Sequence, residues 1–325
     1  MSELHVVLGA GQIGSLLAHR LLERGHRVRQ VRQGPAGEAR PGLEWLSGDV
    51  ADPAFAERAA RGARVVYHCV NPPYHRRQRL LEPIARGILH GVRAADAKLV
   101  VLDNLYMYGR CERPFTEDGP MRPVSRKGEL RARVARLYAE AHARGEARVT
   151  SGRASDFFGP GITLAAIFGE RNYRRLLAGK PAEAFGDPDA PHAYSYGPDV
   201  AEALAVLGER AEADGEVWHL PAVPAEPTRK LLERLARALG VEPRVVRVPD
   251  AVLKVLGVFD PIVREVPEMT YQWKAPFLLD DSRFRRTFGQ RPTPLADAVA
   301  ATAEWARQHY GRPAGSSSTA SRSRA

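Results

Sequence analysis

The chain predicts an α/β protein: a doubly wound parallel sheet joined to a smaller α+β unit toward the C-terminus. Three observations carry this. Glycines 9, 11 and 14 sit between a strand-like and a helix-like segment, β-branched runs then alternate with amphipathic stretches, and 325 residues suffice for one large α/β unit with a companion.

The stretch LHVVLGAGQIGSLLAHRLLERGHRVRQV gives strand, tight turn, helix, turn and strand. Ile13, Leu16, Leu17, Leu21 and Leu22 recur at helical spacing, and Gly25 ends the helix. GLEWLSGDVADPAFAERAARGARVVYHCVN adds a strand, a Gly48-Asp49-Val50 turn, a helix and a strand ending near Asn71. KLVVLDNLYMYG supplies a fifth strand and RVTSGRASDFFGPG a sixth. Between them VSRKGELRA opens a helix capped by Ser125, which places Lys127 and Arg131 on one face. Farther on, TRKLLERLARALG is a helix closed by Gly240, RVVRVP a strand, and DAVLKVLGVFDPIVREV a helix whose face of Leu253, Leu256, Val258 and Phe259 reads as core.

These elements divide the chain into a dinucleotide-binding Rossmann domain at 1–160, to which 196–222 returns, and a substrate domain at 161–195 and 223–311. The serine-rich segment 312–325 reads as a disordered tail.

The net charge of +10 suggests an anionic partner at first sight. However, 42 of the 48 cations are arginines dispersed along the chain, without a recognition helix, RNA-binding aromatic motif or zinc spacing. Neither nucleic acid nor a metal is expected. No apolar run approaches the roughly 20 residues a membrane span needs. Two cysteines, Cys69 and Cys111, are too few for a disulfide framework, and the first residues lead straight into a strand, so a reducing cytoplasm is the expected location.

The G-x-G-x-x-G spacing has a physical reading. Gly9 allows the turn, Gly11 lets backbone N–H groups approach a pyrophosphate, and Gly14 brings helix and strand together; Gln12 and Ile13 complete the loop. An acid closing the second strand would hold the ribose of NAD. Here that strand ends in Arg32, whose planar fork suits a 2′-phosphate, so NADP(H) is favoured over NAD(H).

Taken in order, VVLGAGQIG, GDVADP, VVYHCVN, LDNLYMYG, RPFTEDGPMRPVS, RASDFFGPG and AFGDPDAPHAYSYGPDVAEAL resemble the extended short-chain dehydrogenase/reductase superfamily, in its NAD-dependent epimerase/dehydratase branch. The resemblance implies that Asp49, Val50, Val70, Asn71 and Phe157 line the cofactor. It also implies a homodimer built on helices near 76–94 and 125–144, although the second carries Arg133 and Arg136 beside Leu130, Val134, Leu137 and Tyr138.

The family's Tyr-x-x-x-Lys position reads Lys127 to Arg131, and its serine position reads Asn104, so the chain resembles an atypical member. Lys127, near a helix N-terminus and one turn from a permanent cation, is expected to have a lowered pKa and to act as general acid. Asn104 would donate to the developing anion and Arg131 would bind the nicotinamide ribose. Tyr106 and Tyr108 are substitute proton donors, Tyr108 also reading as a packing residue, with Asp103 and Asp156 as further candidates.

Where nucleotide-sugar enzymes of the family carry an arginine this chain has His192, and where they carry an asparagine it has Asp156, which demotes a diphosphate substrate. The aromatic set Phe157, Phe158, Phe168, Tyr173, Tyr194, Tyr271 and Trp273 suits a small, partly apolar molecule, with Phe158, His192, Tyr271 and Trp273 as the expected substrate contacts. The expected function is therefore an NADP(H)-dependent oxidoreductase acting on a carbonyl, enone or imine. The alternatives are an epimerase or dehydratase with retained NAD(P), and a non-catalytic NADP(H)-binding regulator.

Overall fold

The computed structural model describes residues 2–259 and 264–311. Its first half alternates β1 (Leu4–Leu8), α1 (Gln12–Glu23), β2 (Arg27–Arg32), β3 (Leu43–Ser47), α2 (Pro53–Ala60), β4 (Val65–His68), α3 (Arg77–Ala94), β5 (Lys98–Asp103), α4 (Arg126–Ala143) and β6 (Arg148–Arg153). The second half comprises β7 (Asp156–Phe158), α5 (Glu170–Leu177), β8 (Ala182–Ala184), β9 (Pro191–Tyr196), α6 (Gly197–Glu209), β10 (Val217–His219), β11 (Val223–Pro227), α7 (Thr228–Ala238), β12 (Val245–Arg247), α8 (Asp250–Phe259), α9 (Ser282–Phe288) and α10 (Leu295–Tyr310).

Seven strands form one sheet in the order β10-β6-β5-β4-β1-β2-β3, and every neighbouring pair is parallel. A central parallel strand is covered on both faces, so β1 is buried along its whole length. Its alternate residues serve different cores. Val6 and Leu8 join Leu81, Ile88, Leu130 and Val134 on one side, whereas Val7 joins Leu17, Leu21, Leu204 and Leu207 on the other. The strand order turns around between β1 and β4, and that switch point opens a crevice at the strands' carboxyl ends.

The expected sixth strand is split. β6 stays in the main sheet, while β7 leaves it to pair with β9 in the small sheet β11-β9-β7. This diversion carries Asp156 and Phe157 away from the sheet's crest toward the second half of the chain. Strand β12 pairs with β8, and Gly240, at φ +75°, follows α7 as expected of a helix-ending glycine.

Helix α4 starts where its cap requires: the Ser125 hydroxyl accepts from Gly128 N at 3.0 Å. Its Leu130, Val134 and Tyr138 face the chain's own core, and Arg133 and Arg136 are exposed, so three of the four apolar positions offered for a dimer surface are already used. In α8 Leu253 is buried and Val258 exposed; the side chains of Leu256 and Phe259, like the segment 312–325, lie outside the described residues. No helix among the described residues is long and apolar enough to cross a membrane.

Two of the buried histidines of the main unit, His68 and His219, lie near a buried arginine. Burial, with Arg131 nearby, pushes His68 down to about 3; burial, with Arg153 nearby, pushes His219 down to about 4. Tyr108 fixes the neutral form of His219, its hydroxyl lying 2.7 Å from Nε2 while Nδ1 meets the Asp280 carbonyl at 3.1 Å. Below the ordinary histidine pKa of about 6.5 the unfolded chain takes up protons that the folded chain refuses, so stability falls with pH until the folded values are reached. Each histidine should remove about 2 kcal/mol of stability between pH 7 and pH 5. Urea unfolding at the two pH values measures this, and equal midpoints would show that neither ring is held neutral.

Candidate active site

The glycine turn is built by close backbone approach. Gly9 has φ +107°, and a Cβ there would lie 2.8 Å from the Cys69 carbonyl oxygen; one on Gly14 would lie 2.0 Å from the Gly9 carbonyl oxygen. Gly11 differs, having φ −82° and nothing within 4 Å of an added Cβ. No side chain caps α1, so its leading N–H groups face that open space with the positive end of the helix dipole behind them. The cradle thus fits a pyrophosphate. Ile13 packs inward, and Gln12 turns aside to accept from Thr163 N at 2.6 Å and Leu164 N at 2.5 Å, roofing the turn with the loop after β7. Cys69 supports the turn from behind. Burial raises its thiol to about 12, which makes it a packing residue and not a nucleophile.

Arg32 ends β2 exposed, with no ion-pair partner among the described residues. The Asp49 carboxylate accepts from Ala51 N at 2.9 Å and shapes the turn after β3, with Val50 buried beside it. Val70 and Asn71 follow β4 on the crest, and half-buried Phe157 packs against the α1 cluster.

The three substituted family positions occupy different settings. Arg131 is buried, donating through Nη1 to Asp103 Oδ1 at 3.2 Å and through Nη2 to Asn71 Oδ1 at 2.9 Å, so α4 is tied to the ends of β4 and β5. Asn104 turns its Oδ1 back to accept from Tyr106 N at 3.1 Å, stabilising the turn after β5. Lys127 departs from expectation. Its Nζ meets Glu265 Oε2 at 2.5 Å and also Glu268 Oε2, while its backbone N–H donates to Glu268 Oε1 at 3.0 Å. Burial opposes ionisation of Glu268, yet these bonds hold its carboxyl below the ordinary range. Lys127, expected to act as general acid, is instead engaged by two carboxylates that tie α4 to the segment 265–273.

Tyr108 is corrected as a proton donor. Its hydroxyl is buried, accepts from Arg153 Nη1 at 2.6 Å and meets His219, while its ring stacks on Phe115. Tyr106 is placed differently. Its hydroxyl shares a hydrogen bond of 2.9 Å with that of Tyr74, and burial, aided by Tyr74 and Asp156, holds it well above the usual phenol range. Tyr74 also carries Arg77 over its ring at 3.8 Å and Lys127 Nζ at 5.5 Å. A cleft of about 520 Å³ opens here, lined by Tyr74, Arg77, Ser125, Lys127 and Glu268 among others.

Of the aromatic substrate candidates, Phe158 is a correction: it is 1% exposed and lies in the core with Phe168 and Tyr196. His192 and Trp273 are buried too, but both are aimed at Asp156, donating to its Oδ2 from Nε2 and Nε1 at 3.1 Å each. Asp156 Oδ1 has no hydrogen-bond partner among the described residues. Tyr271 sits half-buried in the same turn as Glu268, its phenol raised by burial. The sequence reading missed Tyr74, Glu265 and Glu268. Only Tyr74 carried a local cue, the Pro-Pro-Tyr turn after β4.

A parallel sheet with a glycine cradle at its switch point defines a dinucleotide-binding α/β enzyme. The chain belongs to the NAD dependent epimerase/dehydratase family, whose model matches residues 5–220, as the order of segments implied. A comparison with curated proteins finds no match. Among solved structures, the chain is similar to a mutant UDP-glucuronic acid 4-epimerase from Bacillus cereus in complex with a fluorinated UDP-glucuronic acid and NAD, with a TM-score of 0.78 and 18% identity over 94% of this chain and 100% of that one. It is similar also to DesIV, a dTDP-glucose 4,6-dehydratase from Streptomyces venezuelae with NAD bound, at 0.76 and 20% over 95% and 98%. WbmH from Bordetella bronchiseptica, in complex with NAD+, gives 0.72 and 18% over 95% and 100%. At such identities the likeness shows the fold alone.

The cradle geometry separates two substitutions. Gly11→Ala should leave the melting temperature unchanged and weaken dinucleotide binding by about tenfold or more, because its methyl group enters the ligand's space. Gly14→Ala should cost at least about 1–3 kcal/mol of stability, because its methyl group meets the Gly9 carbonyl. Thermal unfolding and calorimetric titration with NAD+ and NADP+ check both, and equal effects would place the ligand elsewhere.

Proposed function

We propose that the protein binds a nicotinamide dinucleotide over the crest of its central sheet and acts as an NAD(P)-dependent enzyme of the epimerase/dehydratase type on a small hydroxylated substrate. The observation that carries this is the open, uncapped cradle at Gly11, in a chain whose family match spans the whole Rossmann unit. When bound, the nicotinamide ring supplies reversible hydride transfer. Arg131, immobilised by Asp103 and Asn71, holds the nicotinamide ribose in place of the family lysine. Asp156 Oδ1 accepts the proton of the reacting hydroxyl, with His192 and Trp273 fixing the carboxylate. Tyr106, kept protonated by burial, donates a hydrogen bond to the same oxygen.

A reduction driven by Lys127 as acid has less support, because Glu265 and Glu268 already engage its ammonium. Arg32 is the feature that favours NADP(H): an exposed guanidinium at the end of β2, without a carboxylate beside it. Nucleotide sugars, one of which is bound in the similar UDP-glucuronic acid 4-epimerase structure, belong in the substrate panel, although Asp156 and His192 suit a diphosphate poorly.

Two measurements test the reading. Acid release from purified protein should yield nicotinamide dinucleotide, and a panel of sugars, nucleotide sugars and small alcohols should contain a compound that is turned over. On that compound Asp156→Asn should lower kcat by about 10²-fold or more with dinucleotide affinity unchanged. Dinucleotide binding with no turnover across the panel would favour the regulator, and no binding would end the reading. Separately, Arg32→Glu should weaken NADP+ by about tenfold or more and leave NAD+ nearly unaffected; equal loss for both would remove Arg32 from the cofactor site.

A further inference from the structure

The opposite end of the central sheet carries a second cluster that the crest chemistry does not use. Glu3 precedes β1, His5 lies within it, and His26 sits in the turn entering β2. One ligand atom from each falls within 4.8 Å of the others. No linear motif announces them, since His5 and His26 meet only through the parallel pairing of β1 with β2.

The decisive feature is His5. It is 1% exposed, and its Nε2 is buried without a hydrogen-bond partner, 3.9 Å from Glu3 Oε2, too far for a hydrogen bond. Its other nitrogen, Nδ1, is held by the hydroxyl of fully buried Tyr67 at 3.0 Å. If Nδ1 donates to that phenol, Nε2 presents a lone pair toward Glu3 and His26. His26 is oriented likewise, its Nε2 meeting Glu209 Oε1 at 3.0 Å, and the two imidazole rings lie 3.9 Å apart. Imidazoles with one nitrogen fixed by an outer partner and the other left over are the arrangement that metal-binding histidines use. The nearby cations are already engaged: Arg64 faces Glu3 Oε1 at 3.5 Å, and Arg24 pairs with Glu202 and Glu209. Glu3 Oε2 remains directed at His5.

We propose that Glu3, His5 and His26 bind one Zn2+ ion, which pins the start of β1 to the turn before β2. Two imidazoles and a carboxylate suit Zn2+, with water in the remaining position on the exposed side. Tetrahedral ligands at about 2.0–2.1 Å from zinc stand about 3.3 Å apart, a closure that requires rotation of the half-exposed Glu3 and a turn of the partly exposed His26 ring out of its present stacking on His5. The site stands apart from the crest and does not rest on the dinucleotide reading.

The test uses the full chain, dialysed against chelator and titrated with Zn2+ in competition with a chromophoric chelator. The expected result is one Zn2+ per chain with a Kd of about 1 μM or below, and a melting temperature that rises on adding Zn2+. Glu3→Gln and His26→Ala, both at least partly exposed positions, should fold normally in the absence of metal, weaken binding by about tenfold or more, and lose the thermal shift. His19→Ala, on the outer face of α1, should bind as wild type. Sub-stoichiometric binding by the wild type, unchanged affinity in His26→Ala, or loss of affinity in His19→Ala would each overturn the site.

Discussion

The layout of the crest depends on the buried contact of Arg131 with Asp103 and Asn71. A guanidinium removed from water is tolerable only when paired and hydrogen bonded, and breaking such a pair from one side costs about 3–5 kcal/mol. The requirement is geometric as well as energetic. It holds α4 over the ends of β4 and β5, presents Lys127 one turn nearer the helix N-terminus, and anchors the loop that carries Tyr74. The scaffold at this point is held by Arg131, whose permanent charge finds both its partners inside the protein.

The sequence made legible what is encoded locally. The glycine spacing, the helix after it and the strand alternation follow from φ, close approach and periodicity within a few dozen residues, and these appear in the fold as read. The chemistry at Lys127 was not legible, because its partners lie 138 and 141 residues away and arrive only when the C-terminal segment packs against α4. The same distance hid the grouping of Asp156 with His192 and Trp273, 36 and 117 residues apart. The split after β6 was hidden differently. DFF continues a strand-like run without a breaker, and only the pairing with β9 draws it out of the main sheet.

The arginine excess has a structural counterpart. Arg24 joins α1 to α6 through Glu202 and Glu209, Arg29 pairs with Glu44, Arg171 with Glu183, and Arg229 with Asp189. Such surface pairs contribute about 0–1 kcal/mol each, so they describe how charge is distributed more than what holds the fold. They tie part of the positive charge into local ion pairs.

The substitution at position 127 redistributes roles around the cleft. A tyrosine at the head of α4 would place a phenol there; instead a cation stands at that point, tethered by two glutamates, and the cleft's phenol is Tyr74, whose hydroxyl meets that of Tyr106. Burial favours the protonated phenol at Tyr106, so the proposed function assigns proton acceptance to another group. Asp156, which helps to raise that phenol, has one oxygen committed to His192 and Trp273. Under the proposed function, donor and acceptor therefore fall to two side chains, where one tyrosine would alternate between both roles.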